Sequence, residues 1–128
     1  MTTNTVELGD YCHYMLKEIY EQPGAARNTL EGRLSGNHLV AKTFDFEAEE
    51  VFKFITNVQV IACGSSYHAG LIARNWMEEL GGVAASVEVA SEFRNRSHVV
   101  PENCLIITIS QSGETADTLA ALKYAREI

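Results

Sequence analysis

Positive charge is scarce in this chain of 128 residues, which has 10 Lys and Arg against 17 Asp and Glu and a formal net charge of -7. Nonspecific binding to nucleic acids depends on clustered positive charge, so this balance argues against a nucleic-acid partner. A small anionic ligand is still possible, because backbone N–H groups and hydroxyl groups can bind a phosphate without a basic residue.

Long apolar runs and paired cysteines are also absent. No stretch approaches the roughly 18 residues of a membrane span, and the opening MTTNTVELGD has neither the basic nor the apolar region of a signal peptide, so we expect no membrane association. Cys12, Cys63 and Cys104 form no CxxC pair, from which we expect reduced thiols and a cytoplasmic location. The four histidines show no metal-ligand spacing, so no metal site is predicted and no cofactor is expected.

The first part of the chain shows helical periodicity. Helices are predicted over three ranges, 11–21, 24–34 and 45–55. Asp10 is the predicted N-cap of the first helix, and Pro23 is expected to interrupt the pattern before the second. The cluster Ser-Gly-Asn-His at 35–38 predicts a turn.

The second part of the chain reads as a parallel α/β sheet. Short apolar runs predict buried strands at 58–63, 85–90 and 104–109, and helices are predicted at 65–80 and 115–128. The order strand, helix, strand, irregular segment, strand, helix indicates helical crossovers and a doubly wound, three-layer architecture. Apolar residues recur along the helix at 65–80, and we expect Tyr67 and Trp76 in the core; the stripe comprises Ala69, Ile72, Ala73, Trp76 and Leu80.

Two loops rich in hydroxyl groups follow predicted strands. CGSSY at 63–67 follows the first strand, and SQSGET at 110–115 follows the third. In open parallel sheets ligands bind beyond the carboxyl ends of the strands, where loops lead into helix N-termini. Neither loop is a Walker A or G-x-G-x-x-G motif, which disfavours a nucleotide and favours a simpler phosphate. The alternative is that these Ser and Thr residues only cap the helices that follow.

At these loops the sequence resembles a known family. ITISQSGETADTLAALKYA at 107–125 closely resembles the phosphosugar-binding loop of the sugar isomerase (SIS) domain family. More narrowly, HYMLKEIYEQP at 13–23, IACGSSYHAG at 61–70 and VASEFRNR at 89–96 resemble the isomerase half of the glucosamine-6-phosphate synthase family, which makes glucosamine 6-phosphate from fructose 6-phosphate and glutamine. The resemblance implies a flavodoxin-like SIS fold with a parallel sheet.

The resemblance also implies a set of substrate-binding residues. Four of them would hold the sugar phosphate: Ser110, Gln111, Ser112 and Thr115. Ser66 would hydrogen-bond the sugar or its phosphate region. No catalytic residue is expected, and Cys63 is interpreted as a small buried residue at a strand end.

The resemblance is partial, because the family's glutaminase domain and its acid–base residues have no counterpart here. We therefore expect residues 1–10 to be a linker or flexible lead, and residues 11–128 to form a truncated first SIS subdomain preceded by helices. Such a chain would bind a phosphosugar but be inactive alone, with the remainder of a homodimeric synthase as its partner. The alternative is a stand-alone or regulatory SIS module that binds a phosphosugar without catalysis.

Several charged residues near these loops leave two interpretations open. His68 lies one turn behind the first loop and could approach a ligand, or it could be a partly exposed helix residue. Glu92, Arg94 and Arg96 follow the second strand, where they could form ion pairs at an interface or near the substrate, or be solvated loop charges.

Overall fold

The computed structural model describes residues 7–128, so that much of the predicted flexible lead at 1–10 (residues 1–6) lies outside the described residues. The chain divides into two compact units, with the boundary after Glu49. Among the described helices, none combines the length and the apolar character that a membrane-spanning segment needs.

The first unit contains one long helix and a small hairpin. Helix α1 spans Tyr14–Leu30. Strands β1 (Leu34–Ser35) and β2 (His38–Leu39) pair in antiparallel fashion across the predicted turn, and a 3₁₀ turn follows at Ala41–Thr43. Helix α2 (Ala48–Phe54) runs across the boundary between the units. It is shorter than the predicted range of 45–55, because the Asp45 side chain and carbonyl form a turn with Glu47 and Ala48 first.

Helix α1 corrects two predictions. The chain forms one helix of 17 residues with Pro23 inside it, where two helices were expected. A proline removes one backbone hydrogen bond and crowds the preceding turn, but its fixed φ suits a helix, and here the helix continues through it. The N-cap is His13, with no side-chain capping bond, and Asp10 lies outside the helix.

The second unit is built on a three-stranded parallel sheet, which confirms the predicted α/β architecture. The strands are β3 (Asn57–Ala62), β4 (Ala84–Val89) and β5 (Cys104–Ile109), in the order β4-β3-β5. All three lie within one residue of their predicted bounds. At the carboxyl end of the sheet, Ala62 lies beside Val89 of β4 and Ile109 of β5.

Helices cover both faces of this sheet. Helix α3 (Gly64–Glu79) packs on the face that carries Val60 and Val87. On the other face, α4 (Ala90–Phe93) and α5 (Ala116–Ala125) enclose Ile61. The buried core cluster consists of Ile61, Ala90, Phe93 and Ala121.

The packed face of α3 differs from the predicted stripe. Gly70 is buried and lets the helix approach the sheet so closely that a Cβ there would meet Val87 Cγ1 at 3.0 Å. This contact turns the predicted stripe outward, leaving Ile72 54%, Trp76 60% and Leu80 80% exposed. The expectation that Trp76 is a core residue is therefore wrong, whereas Tyr67 is half-buried.

Helix α5 also ends earlier than predicted. Its last residue is Ala125, with Arg126 as the C-cap, although the helical pattern was expected to continue to Ile128. The N–H groups of Arg126 and Glu127 bond to carbonyls three residues back, at Lys123 and Tyr124. These tighter bonds are the usual end of a helix whose last carbonyls have no further partner in the helix.

Candidate functional site

Sheet topology brings the two hydroxyl-rich loops together. Strands β3 and β5 are neighbours and parallel, and the register that pairs Ala62 with Ile109 ends both strands at the same level. The loops that follow them, 63–67 and 110–115, therefore lie side by side at the carboxyl edge of the sheet.

Between these loops lies an open cleft of about 240 Å³. All five residues predicted to bind substrate line it: Ser66, Ser110, Gln111, Ser112 and Thr115. Its remaining lining residues are Cys63, Gly64, Ser65, Ile109 and Thr118. The structure thus brings the predicted set into one place, while the ligand that they bind stays a prediction.

The first loop leads directly into α3. Cys63 has an extended backbone and stands at the N-cap position, but it makes no side-chain capping bond. Gly64 follows with φ of +57°, a left-handed conformation that favours glycine. The turn therefore presents the first N–H groups of a 16-residue helix to the cleft, together with the partial positive charge of that helix end.

The second loop is braced by its own hydroxyl groups. Gly113 N–H donates to Ser110 Oγ over 3.0 Å, and Glu114 N–H donates to Ser112 Oγ over 3.1 Å. Ser110 Oγ and Thr115 Oγ1 lie 3.3 Å apart and share a hydrogen bond. Gly113 takes φ of +70°, which allows the chain to close this loop.

The hydroxyl groups at the cleft do not serve as helix caps. Thr115 is the N-cap of α5, and it makes no side-chain capping bond. Neither helix start at the cleft is capped by a side chain among residues 7–128. The hydroxyl groups of the second loop hold the loop together instead, so helix capping does not account for them.

No charged side chain of residues 7–128 lines the cleft. Asp117, in the first turn of α5, forms an ion pair with Arg94 at 3.3 Å. Arg96 contacts both carboxylate oxygens of Glu88 at 2.7 Å, and this hydrogen bonding raises the pKa of Arg96. Arg94 and Arg96 therefore form ion pairs, and neither they nor Glu92 lines the cleft.

His68 does not line the cleft. It is exposed on α3, and its ring lies edge-on to Tyr67 with 5.6 Å between centroids. The structure therefore favours the interpretation of His68 as an exposed helix residue.

The predicted substrate-binding set left out two polar residues that line the cleft, Ser65, which belongs to the predicted first loop, and Thr118, which sequence reasoning missed altogether. Thr118 is only 4% exposed, although it is polar. A signal for it did exist, because residues three apart lie on the same face of a helix and Thr118 follows Thr115 by three.

Cys12, Cys63 and Cys104 are all free thiols. Within residues 7–128, no group of three or more His, Cys, Asp or Glu side chains is arranged to hold a metal ion.

Comparison with known proteins matches residues 55–128 to the SIS domain. The glutamine–fructose-6-phosphate aminotransferase [isomerizing] of Pseudomonas aeruginosa is 57% identical over 120 residues, which are 94% of this chain and 20% of that protein. The Shewanella oneidensis enzyme of the same name is 54% identical over 129 residues, covering 100% of this chain and 21% of its own length. The chain therefore spans about a fifth of the length of these curated relatives.

A solved structure is similar in fold as well as in sequence. The C-terminal domain of glucosamine-fructose-6-phosphate aminotransferase from Francisella tularensis superposes with a TM-score of 0.88 at 44% sequence identity. The match covers 96% of this chain and 34% of that one.

Proposed function

This chain belongs to the SIS domain family, and from that premise we propose that it is the phosphosugar-binding part of a glutamine–fructose-6-phosphate aminotransferase. The observation that carries the proposal is the meeting of two hydroxyl-rich loops in one cleft at the carboxyl edge of the sheet. The ligand would be fructose 6-phosphate or the product glucosamine 6-phosphate.

The cleft suits a phosphate because its donors are already oriented. A hydroxyl group has one hydrogen to donate and two lone pairs to accept with. Since Ser112 Oγ accepts from Glu114 N–H, its own hydrogen stays available for a ligand oxygen. With the N-termini of α3 and α5 beside it, such a site can bind a dianion without a lysine.

Proton transfer needs groups that this cleft lacks. Among residues 7–128, those that line the cleft include no carboxylate, imidazole or amine. Moving a proton between C1 and C2 of the sugar requires a general acid and base, so we propose that the remainder of a larger synthase supplies them. This segment would hold the phosphate and use that binding energy to position the sugar. Alone, it would bind without turnover.

The same lack of acid–base groups favours a second candidate function, an SIS module that binds a phosphosugar without catalysis. Mixing the chain with a synthase preparation and measuring their association distinguishes the two candidate functions. A part of the enzyme should associate with its other parts, whereas an independent module should bind the sugar with no effect on synthase assembly.

Calorimetric titration of the chain with glucosamine 6-phosphate tests the phosphosugar proposal. We expect Ser112→Ala to weaken binding about tenfold, since a hydrogen bond to a charged group is lost. Ser97→Ala is the matched control, because Ser97 is exposed and lies outside the cleft. Equal affinity of Ser112→Ala and Ser97→Ala would reject the loop assignment, and no binding by the unaltered chain would reject the function.

We further propose that the protein forms a homodimer and resides in the cytoplasm. Strands β4 and β5 are the two edges of the sheet in residues 7–128, and such edges favour association with another chain. The free thiols suit a reducing compartment. Sedimentation that gives the mass of one chain at every concentration would contradict the dimer, and recovery of oxidised cysteines from cells would contradict the compartment.

A further inference from the structure

The most buried of the residues that line the cleft, Thr118, has a side-chain hydroxyl without a bonding partner in the described part of the chain. Thr118 is 4% exposed, and its Oγ1 atom makes no hydrogen bond with any residue of the described range 7–128. A helical threonine usually bonds its hydroxyl to the carbonyl three or four residues back, but Thr118 does not. A buried hydroxyl without a partner costs free energy, so the position calls for an explanation.

The position of Thr118 points to a ligand. It is the third residue of α5 and lies one turn after Thr115, with which it lines the cleft. It thus lies at the helix end where free N–H groups and the positive end of the helix dipole favour an anion. Its sequence neighbour Asp117 is already paired with Arg94, outside the cleft lining.

A comparison within the chain supports this interpretation. Two buried side-chain atoms lack a partner in the part of the chain that the structure describes, Arg74 Nε and Thr118 Oγ1. Arg74 lies on α3 away from the cleft, whereas Thr118 is one of the cleft residues. An unpartnered hydroxyl among the residues of a hydroxyl-lined cleft is placed to gain a hydrogen bond from a ligand bound there.

We propose that Thr118 is a further phosphate-binding residue, whose hydroxyl donates to the innermost oxygen of a bound phosphate. This inference rests on the proposed function, and it adds a donor from the helix to those of the loop. Ser110, Ser112 and Thr115 would hold the outer oxygens, while Thr118 forms the base of the site.

The test uses two variants of the full chain, Thr118→Val and Thr118→Ser. Valine keeps the shape of threonine without the hydroxyl, and serine keeps the hydroxyl. We expect Thr118→Val to weaken the binding of both inorganic phosphate and glucosamine 6-phosphate about tenfold in calorimetry, as for a hydrogen bond to a charged group. Thr118→Ser should retain most of the affinity. The midpoint of thermal unfolding without ligand should be unchanged or higher in Thr118→Val, because an unsatisfied polar group has been removed from the interior.

The outcomes separate this inference from the proposed function. If the unaltered chain binds glucosamine 6-phosphate and Thr118→Val binds it equally well, the inference fails and the function stands. A loss of affinity for the sugar phosphate alone, with inorganic phosphate unaffected, would overturn the contact with the phosphate group. A lower unfolding midpoint for Thr118→Val would show that its hydroxyl has a structural partner, which also overturns the inference. If the unaltered chain binds neither probe, both proposals fail.

Discussion

Hydroxyl groups at the cleft accept hydrogen bonds within their own loop and can still donate a hydrogen bond. Ser110 and Ser112 accept hydrogen bonds from backbone N–H groups of their own loop, which fixes the loop. Because Ser112 Oγ accepts in this bond, its own hydrogen remains available to donate, and the loop is organised in the absence of a ligand. Donors of this kind would allow a chain with a net charge of -7 to form the proposed anion site.

At the scale of one residue, partial burial is expected to slow the reactions of the Cys104 thiol. Burial raises the pKa of the Cys104 thiol above its ordinary value of 9.0, more than the hydrogen bond with the Gln59 backbone lowers it. The thiolate is the reactive form, so we expect iodoacetamide at pH 9 to alkylate Cys104 several-fold more slowly than the exposed Cys12. Peptide mass spectrometry measures both rates, and unfolding the chain in urea should abolish the difference.

The raised pKa of Cys104 also makes the free energy of unfolding depend on pH. Because the folded chain holds the Cys104 proton more tightly than the unfolded chain, this contribution to stability is complete below pH 9.0 and is lost as the pH rises through the folded pKa. Equal alkylation rates of Cys104 and Cys12 in the folded chain at pH 9 would contradict the slower alkylation expected for Cys104.

At the scale of elements, the packing of α3 depends on the absence of a side chain at Gly70. A Cβ there would lie 3.0 Å from Val87 Cγ1 and 3.1 Å from Val60 Cγ1. We expect Gly70→Leu to lower the free energy of unfolding by about 1–3 kcal/mol through overpacking against the sheet. Urea denaturation followed by circular dichroism measures this change.

A second helical glycine provides the control for that variant. Gly24 lies within α1, and nothing lies within 4 Å of where its Cβ would be. Gly24→Leu should leave stability unchanged or raise it slightly, because leucine has the better helix propensity. Similar losses in both variants would show that helix propensity, and not contact with the sheet, decides the effect.

The elements also show what sequence could predict. The strands and the two loops were predicted closely, because a short apolar run followed by small hydroxyl residues is a local pattern. The outward stripe of Ile72, Trp76 and Leu80 was not, since the rotation of α3 is set by its contact at Gly70 with distant residues of the sheet. Thr118 was missed for a related reason: the sequence does not show which hydroxyl groups become buried.

At the scale of the whole molecule, the cleft belongs to one unit. Every residue that lines it lies between Cys63 and Thr118, inside the unit of residues 50–128, which has its own core cluster. Helix α2 crosses the boundary, so a shortened chain of residues 45–128 keeps that helix intact.

We expect this shortened chain to fold and to bind glucosamine 6-phosphate within about twofold of the full chain, since no lining residue is removed. Thermal unfolding by circular dichroism and calorimetric titration measure the two properties. A cooperative transition with unchanged affinity would support an independent binding unit, whereas a folded but non-binding chain would assign a role in binding to the first unit.

The outward orientation of α3 has a practical consequence for optical measurements. Trp76 is the only tryptophan of the chain, and it is 60% exposed near the end of α3 opposite the cleft. Its indole is hydrated, so its emission should be red-shifted in the isolated chain. A protein that covers this face of the helix should move the emission to the blue, while a sugar phosphate at the far end should not. Trp76 fluorescence would thus report on the proposed assembly separately from the proposed ligand binding.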